Sequence, residues 1–253
     1  EIENYGTIDF SAAKKSTAIY SESARVKNDG TIKVGENSTG IYGIYKDGTR
    51  KFEGSGSGAK NKLEITTTTN SKINLGNNST GMYLVNAQKL DNLGGEIKST
   101  TGATKNVGIY ALNGAIGEAA YDKDVNYNIL TMNNKANITL SDGSVGIFSR
   151  GKGTAPAERN TVTNTGNITV GDNAVGIYGY GVENNGTINT GKNGTAIYTD
   201  GNGEPVHLSS TSVLNIGDDQ AVGAYIVGKN QTVTADSGSQ FNIGKNSFKC
   251  RTR

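Results

Sequence analysis

The chain has one cysteine, one histidine, two prolines and no tryptophan in 253 residues. Each shortage removes a class of explanation. A lone cysteine, Cys250, allows no internal disulfide, so the chain is not a disulfide scaffold. Without a second histidine or a paired cysteine, His-rich zinc sites and a Cys–His dyad are excluded. A Ser-His-Asp triad would have to use His207, which sits beside Pro205 in an expected loop, and no nucleophile-elbow sequence accompanies it. No apolar run approaches about 18 residues, so no segment reads as a membrane-spanning helix. The 25 basic and 23 acidic residues are evenly spread, with no basic stripe to track nucleic acid. Glu1 is neither an initiator Met nor the start of a signal peptide, so the chain is expected to be a fragment or a processed product.

Large apolar residues are scarce as well. Hydrophobic residues make up 34%, lean for one thick core at this length. With 36 glycines, such a composition would ordinarily indicate disorder, but the apolar residues are too regularly placed for that. A long, thin protein with a narrow core fits both facts.

What the sequence does have is an internal repeat. One copy runs Asn28-Asp29-Gly30-Thr31-Ile32-Lys33-Val34-Gly35 and continues Glu36-Asn37-Ser38-Thr39-Gly40-Ile41-Tyr42-Gly43. A second runs Asn164-Thr165-Gly166-Asn167-Ile168-Thr169-Val170-Gly171, then Asp172-Asn173-Ala174-Val175-Gly176-Ile177-Tyr178-Gly179. A third begins at Asn184 and ends at Tyr198, and partial copies centre on Ile8, Ile73, Ile97, Ile138, Leu214 and Phe241. Each copy reads as strand, turn, strand. Ile32 and Val34 alternate with polar neighbours at the period of a half-buried strand, and Gly35 and Asn37 supply the corner. A unit of about 20 residues buries too little to fold alone, so units must stack. The sequence therefore predicts an all-β, right-handed parallel β-helix of roughly nine to eleven coils with loop insertions, about 40–50 Å long. Residues 1–246 form one such domain, and 247–253 are expected to be an irregular tail that breaks the pattern. Asn37, Asn78, Asn173, Asn193 and Asn246 recur at one corner and are expected to form a side-chain ladder between coils.

In the second strand, Thr39, Val145, Val175 and Val222 are expected to face inward, with Ile41, Ile147, Ile177 and Ala224 two residues on. The next residue then faces out, giving an aromatic ladder of Tyr20, Tyr42, Tyr83, Tyr110, Phe148, Tyr178, Tyr198 and Tyr225. Such rings either stack on one another and stiffen the sheet or present a strip to sugar rings or a partner surface. Projecting loops are expected at Lys46–Asn61, Asn113–Asn128, Gly151–Arg159 and Asp200–His207. No cluster of carboxylates repeats in register, as acid–base catalysis on a polysaccharide would require. No catalytic residue, cofactor or metal site is expected.

The pattern Asn-x-Gly-Thr-Ile-x-Val-Gly followed by Asn-(Ser/Ala)-(Thr/Val)-Gly-Ile-Tyr-Gly resembles the passenger repeats of large type V autotransporter adhesins, most of all the fusobacterial outer-membrane autotransporters. The resemblance spans nearly all of residues 4–246. It implies a passenger displayed outside a Gram-negative cell, bound to a host-cell or bacterial surface protein or glycan, or to another copy of itself. With no basic stripe, no nucleic-acid partner is expected, and the resemblance implies attachment to the membrane only through a C-terminal barrel that lies outside these residues. A stalk that displays a distal functional domain, or a self-associating aggregation module, is the alternative to an adhesive segment.

Overall fold

The computed structural model describes residues 1–45, 63–113, 130–151, 160–200 and 205–253. These residues hold 27 strands and no helix. The strands form three parallel sheets of nine, and every third strand in sequence joins the same sheet. The chain is therefore a right-handed parallel β-helix of nine coils. The first coil contributes Ile2–Asn4 to sheet A, Thr7–Phe10 to sheet B and Thr17–Glu22 to sheet C. The ninth contributes Val233–Ala235, Gln240–Ile243 and Phe248–Thr252.

Three internal columns of apolar side chains follow from the strict register. In sheet B, Ile32, Ile73, Ile97, Ile138, Ile168, Ile188 and Leu214 succeed one another on neighbouring strands, all buried. Sheet C stacks Ile19, Ile41, Met82, Ile109, Ile147, Ile177 and Ile197 in the same way. Sheet A does so with Val26, Ile65, Leu90, Met132, Val162, Val182 and Val206. Each buried Ile, Leu or Val contributes roughly 1.5–3 kcal/mol. A core one side chain wide accounts for the low apolar content.

Sheet A is the strand that the two-strand reading of the repeat lacks. Its signature is short: an apolar residue, a polar residue and an asparagine, as in Val26-Lys27-Asn28, Leu90-Asp91-Asn92, Val162-Thr163-Asn164 and Val182-Glu183-Asn184. These asparagines form the ladder between coils. Asn92 Nδ2 donates to Asn134 Oδ1 at 2.6 Å, Asn134 to Asn164 at 2.8 Å, and Asn164 to Asn184 at 2.8 Å, all in the buried interior. At the first coils Asn4 donates to Asn28 at 2.8 Å and Asn28 to Ser71 Oγ at 2.5 Å.

The corner asparagines assigned to that role have a different one. Asn37, Asn78, Asn173, Asn193 and Asn246 lie in the left-handed region with φ between 52° and 57°, which Asn tolerates better than most residues. Only the Asn78 to Asn37 pair, at 2.6 Å, is joined side chain to side chain.

Two further expectations are corrected. Thr39, Val145 and Val175 are half-buried on the outer side, because the inward alternation is interrupted: Gly40 and Ile41 are both buried. A Cβ on Gly40 would stand 2.6 Å from the Gly81 carbonyl oxygen, so the backbones themselves pack at this point. Of the four residues in that set, Val222 alone is buried. Residues 248–252, expected to be irregular, form a strand that pairs with Val222–Ile226 and completes the ninth coil.

The expected loops fall mostly at 46–62, 114–129, 152–159 and 201–204, outside the described residues. His207 lies in the strand Val206–Leu208 of sheet A and not in a loop.

Candidate functional site: an aromatic ladder on sheet C

The outer face of sheet C carries all eight aromatic residues expected there. Parallel pairing places Tyr42 on Tyr83, Tyr83 on Tyr110, Tyr110 on Phe148, and Phe148 on Tyr178. Strands in one sheet lie about 4.8 Å apart, close to the spacing at which rings stack. Centroid separations run from 4.6 Å for Tyr83–Tyr110 to 5.5 Å for Tyr20–Tyr42 and Tyr198–Tyr225. Interplanar angles between Tyr42 and Phe148 are 3° to 12°. The rings thus cover each other's faces and turn their edges outward. Tyr20 at the end is 54% exposed, whereas the other seven are half-buried. At the opposite end the Arg251 guanidinium lies over Tyr225, 5.8 Å from its centroid.

One polar cluster is built into the ladder. Tyr178 donates its hydroxyl proton to Asp200 Oδ2 at 2.7 Å, and Arg150 Nη2 donates to the same oxygen at 3.1 Å. Arg150 Nε donates to the Tyr180 hydroxyl at 3.3 Å, and its guanidinium lies 5.4 Å from that ring and 5.8 Å from the Tyr178 ring. Arg150 lies in the strand Val145–Gly151, and Tyr180 and Asp200 directly follow Val175–Gly179 and Thr195–Thr199 on the next two coils, so the spacing of the repeat brings the three together. Burial, then the bond to the Asp200 carboxylate, raises the Tyr178 phenol well above its ordinary value. Burial likewise raises Tyr83 and Tyr198. These three phenols remain neutral donors at physiological pH.

Sheet A carries a second cluster that the sequence reading missed. His207 Nδ1 lies 2.7 Å from Glu183 Oε2, and Nε2 lies 3.0 Å from Asp236 Oδ1. Glu183 and His207 are register partners on adjacent strands. The bond to Asp236, then that to Glu183, raises the imidazole above its ordinary value. With both nitrogens held by carboxylates, neither is open to act as a base. Only the third strand of each coil, unread in the sequence, could have revealed this stack.

Sheet B ends in an outward column in which Asn242 donates to Asn215 and Asn215 to Asn189, both at 2.6 Å. Among the described residues no group of three or more His, Cys, Asp and Glu is arranged to hold a metal ion.

A family model described as the BigA third pectate lyase-like domain matches residues 1–204. No curated protein and no solved structure matches the chain. The match supports a β-helix domain of the passenger kind but not the fusobacterial assignment. The match covers most of the length, and the chain belongs to the BigA third pectate lyase-like domain family.

Proposed function

We propose that this chain is a non-catalytic passenger segment of a bacterial surface adhesin, displayed outside the cell and attaching it to host cells or to other bacteria. The observation that carries the reading is the family match over residues 1–204. The protein partner or glycan would meet the outer face of sheet C. Because the ring faces are mutually covered, the contact is made by ring edges and phenol hydroxyls, one row per coil along the axis. A partner that is itself extended and lies along that axis fits this row best.

A non-catalytic role is supported by the chemistry of the outer faces. Carboxylates such as Asp9, Asp91 and Glu96 are each paired with a lysine, Lys33, Lys89 and Lys98 respectively. The one histidine is held between two acids.

A stalk is the second reading, favoured by the same stacking, which stiffens the rod whether or not anything binds. Beads coated with residues 1–253 and scored on epithelial cells and partner bacteria separate the two. Tyr42, Tyr83, Tyr110 and Tyr198 changed together to Phe keep the stack, as Phe148 does already, and remove four of its seven hydroxyls. Attachment by the unaltered chain that this variant loses places adhesion on the ladder. Inert beads carrying folded protein leave the stalk.

A further inference from the structure

The outer faces of the three sheets differ in chemistry. Sheet B carries the ion pairs Lys33–Asp9 and Lys98–Glu96, then a run of amides at Asn167, Asn189 and Asn215. Sheet A carries the pairs Lys89–Asp91 and His207–Glu183. Sheet C has little of either kind. Its strands present three outward columns, because Thr39, Tyr42 and Ile44 are half-buried while Gly40, Ile41 and Gly43 are buried. From the second coil to the seventh, the first column is Thr39, Thr80, Val107, Val145, Val175 and Thr195. The middle column is the aromatic ladder. The third runs Ile44, Val85 and Leu112, then Arg150, Tyr180 and Asp200, with Val85 buried and the rest half-buried. Over these coils the three columns hold no Lys, Glu, Asn or Gln. Their one acid and one base are joined to each other, Arg150 Nη2 to Asp200 Oδ2 at 3.1 Å, so the face carries no net charge.

That composition selects among partners. The centres of protein interfaces are rich in aromatic residues and Arg and poor in Lys and Glu, and Tyr and Arg dominate their binding energy. Tyr178, Tyr180 and Arg150 stand together near the middle of sheet C. A sugar chain asks for different groups: an open ring face for its C–H surface, and amides or carboxylates for its paired hydroxyls. Here the ring faces are covered by their neighbours at 4.6 to 5.5 Å. The one carboxylate already accepts from Tyr178 and Arg150. The amides lie on sheet B. Size points the same way. The eight strands of the ladder, about 4.8 Å apart and about 17 Å across the three columns, cover roughly 600 Å². That is the lower limit of a specific protein contact, about 600 Å² a side.

We propose that the partner of sheet C is a protein offering a flat, uncharged and largely apolar surface, and not a glycan. The inference rests on the adhesive reading of this face and narrows it to one class of partner. Val107, Val145 and Val175 on one side of the ladder, and Ile44 and Leu112 on the other, supply the apolar contact. The phenol hydroxyls between them donate to carbonyl oxygens of the partner. With Arg150 and Asp200 paired to each other, binding depends little on long-range charge attraction.

Beads coated with the 253-residue chain test this on epithelial cells and partner bacteria pretreated in two ways. Protease strips surface polypeptide, whereas periodate cleaves sugar diols and leaves the polypeptide standing. Attachment should be lost after protease, survive periodate, and persist at about 0.5 M salt, where exposed charges are screened. Thr80→Lys with Val145→Lys places two charges on sheet C and should lower attachment at least about tenfold. The same two charges on sheet B, Thr139→Lys with Thr187→Lys, should leave it unchanged. All four side chains face outward, and circular dichroism checks that both variants fold. Attachment that periodate abolishes and protease spares identifies a glycan; it overturns the inference and leaves the adhesive reading standing. A folded sheet C variant that attaches like the unaltered chain overturns the inference as well. Folded, unaltered chain that attaches to no untreated cell or bacterium removes the adhesive reading, and this inference with it.

Discussion

Asn164 donates from its side-chain amide to the Oδ1 of Asn184 at 2.8 Å, with both residues wholly buried. The same amide donates to the Gly166 carbonyl at 3.2 Å, so one side chain ties its own turn to the next coil. Asn164→Ala should leave the buried Asn184 oxygen without that donor, a loss of about 1–3 kcal/mol before packing is counted. At the corner the requirement is conformational. Asn193, at φ 52°, should accept Gly with little change, whereas Asn193→Ala should lose about 1–2 kcal/mol. Urea unfolding of these three variants and of Asn164→Gly, which should lose at least as much as Asn164→Ala, distinguishes the roles. Equal sensitivity of Asn164 and Asn193 to glycine would show that the two asparagines do the same job.

Stacking in the ladder should be strongest at its middle. Tyr110 touches two rings, Tyr83 at 4.6 Å and Phe148 at 4.7 Å, while Tyr20 stacks on Tyr42 at 5.5 Å. At about 0.5–1.5 kcal/mol per pair, Tyr110→Ser should destabilise by roughly 1–3 kcal/mol more than its lost area alone. Tyr20→Ser, on an end coil, should lose about half as much. Thermal melts of both variants check the ordering, and Tyr110→Phe should melt with the unaltered chain.

The inner columns were legible in the sequence because Ile32, Ile168 and Ile188 sit at one position of a repeated phrase, and parallel stacking turns sequence position directly into spatial position. The ladder was legible for the same reason: Tyr42, Tyr178 and Tyr198 follow the buried Ile by one residue. What resisted was anything that breaks the period of two. Gly40 and Ile41 both face inward, and no alternation rule predicts that Thr39 then turns out. The third strand resisted because it is short: Val26–Asn28 is three residues, and its asparagine reads as a turn residue until its partner in the next coil is known. The Glu183–His207–Asp236 stack joins residues 24 and 29 apart in sequence, across intervals that differ from coil to coil. No motif marks it.

The last strand offers a direct check on where the domain ends. Phe248–Thr252 pairs with Val222–Ile226 and covers Ala224 and Ile226, which are 1% and 5% exposed. Truncation after residue 246 should uncover these side chains and weaken the eighth coil by about 1–3 kcal/mol. Hydrogen exchange should report faster exchange across 222–226 in the shortened chain and none in coils three to five. Unchanged protection at 222–226 would restore the reading of 247–253 as an irregular appendage.

His207 supplies a pH response that the geometry predicts. A neutral imidazole has a single N–H, yet both ring nitrogens here face carboxylate oxygens, which accept and cannot donate. The doubly protonated ring alone satisfies both, and its value is accordingly raised above 6.5, first by Asp236 and then by Glu183. The other outward positions near it on sheet A, Thr163 and Thr234, carry no charge. A raised folded value means that the stabilisation is fully present below about 6.5 and is lost as pH rises through the folded value. The tie between the seventh, eighth and ninth coils should therefore tighten as pH falls through the raised folded value toward about 6.5. Melting temperature and amide protection across 206–208 should rise together over that interval. His207→Gln keeps a donor but no titratable charge, and its melting should lose this slope. A variant with the same slope as the unaltered chain would place the pH response elsewhere in the molecule.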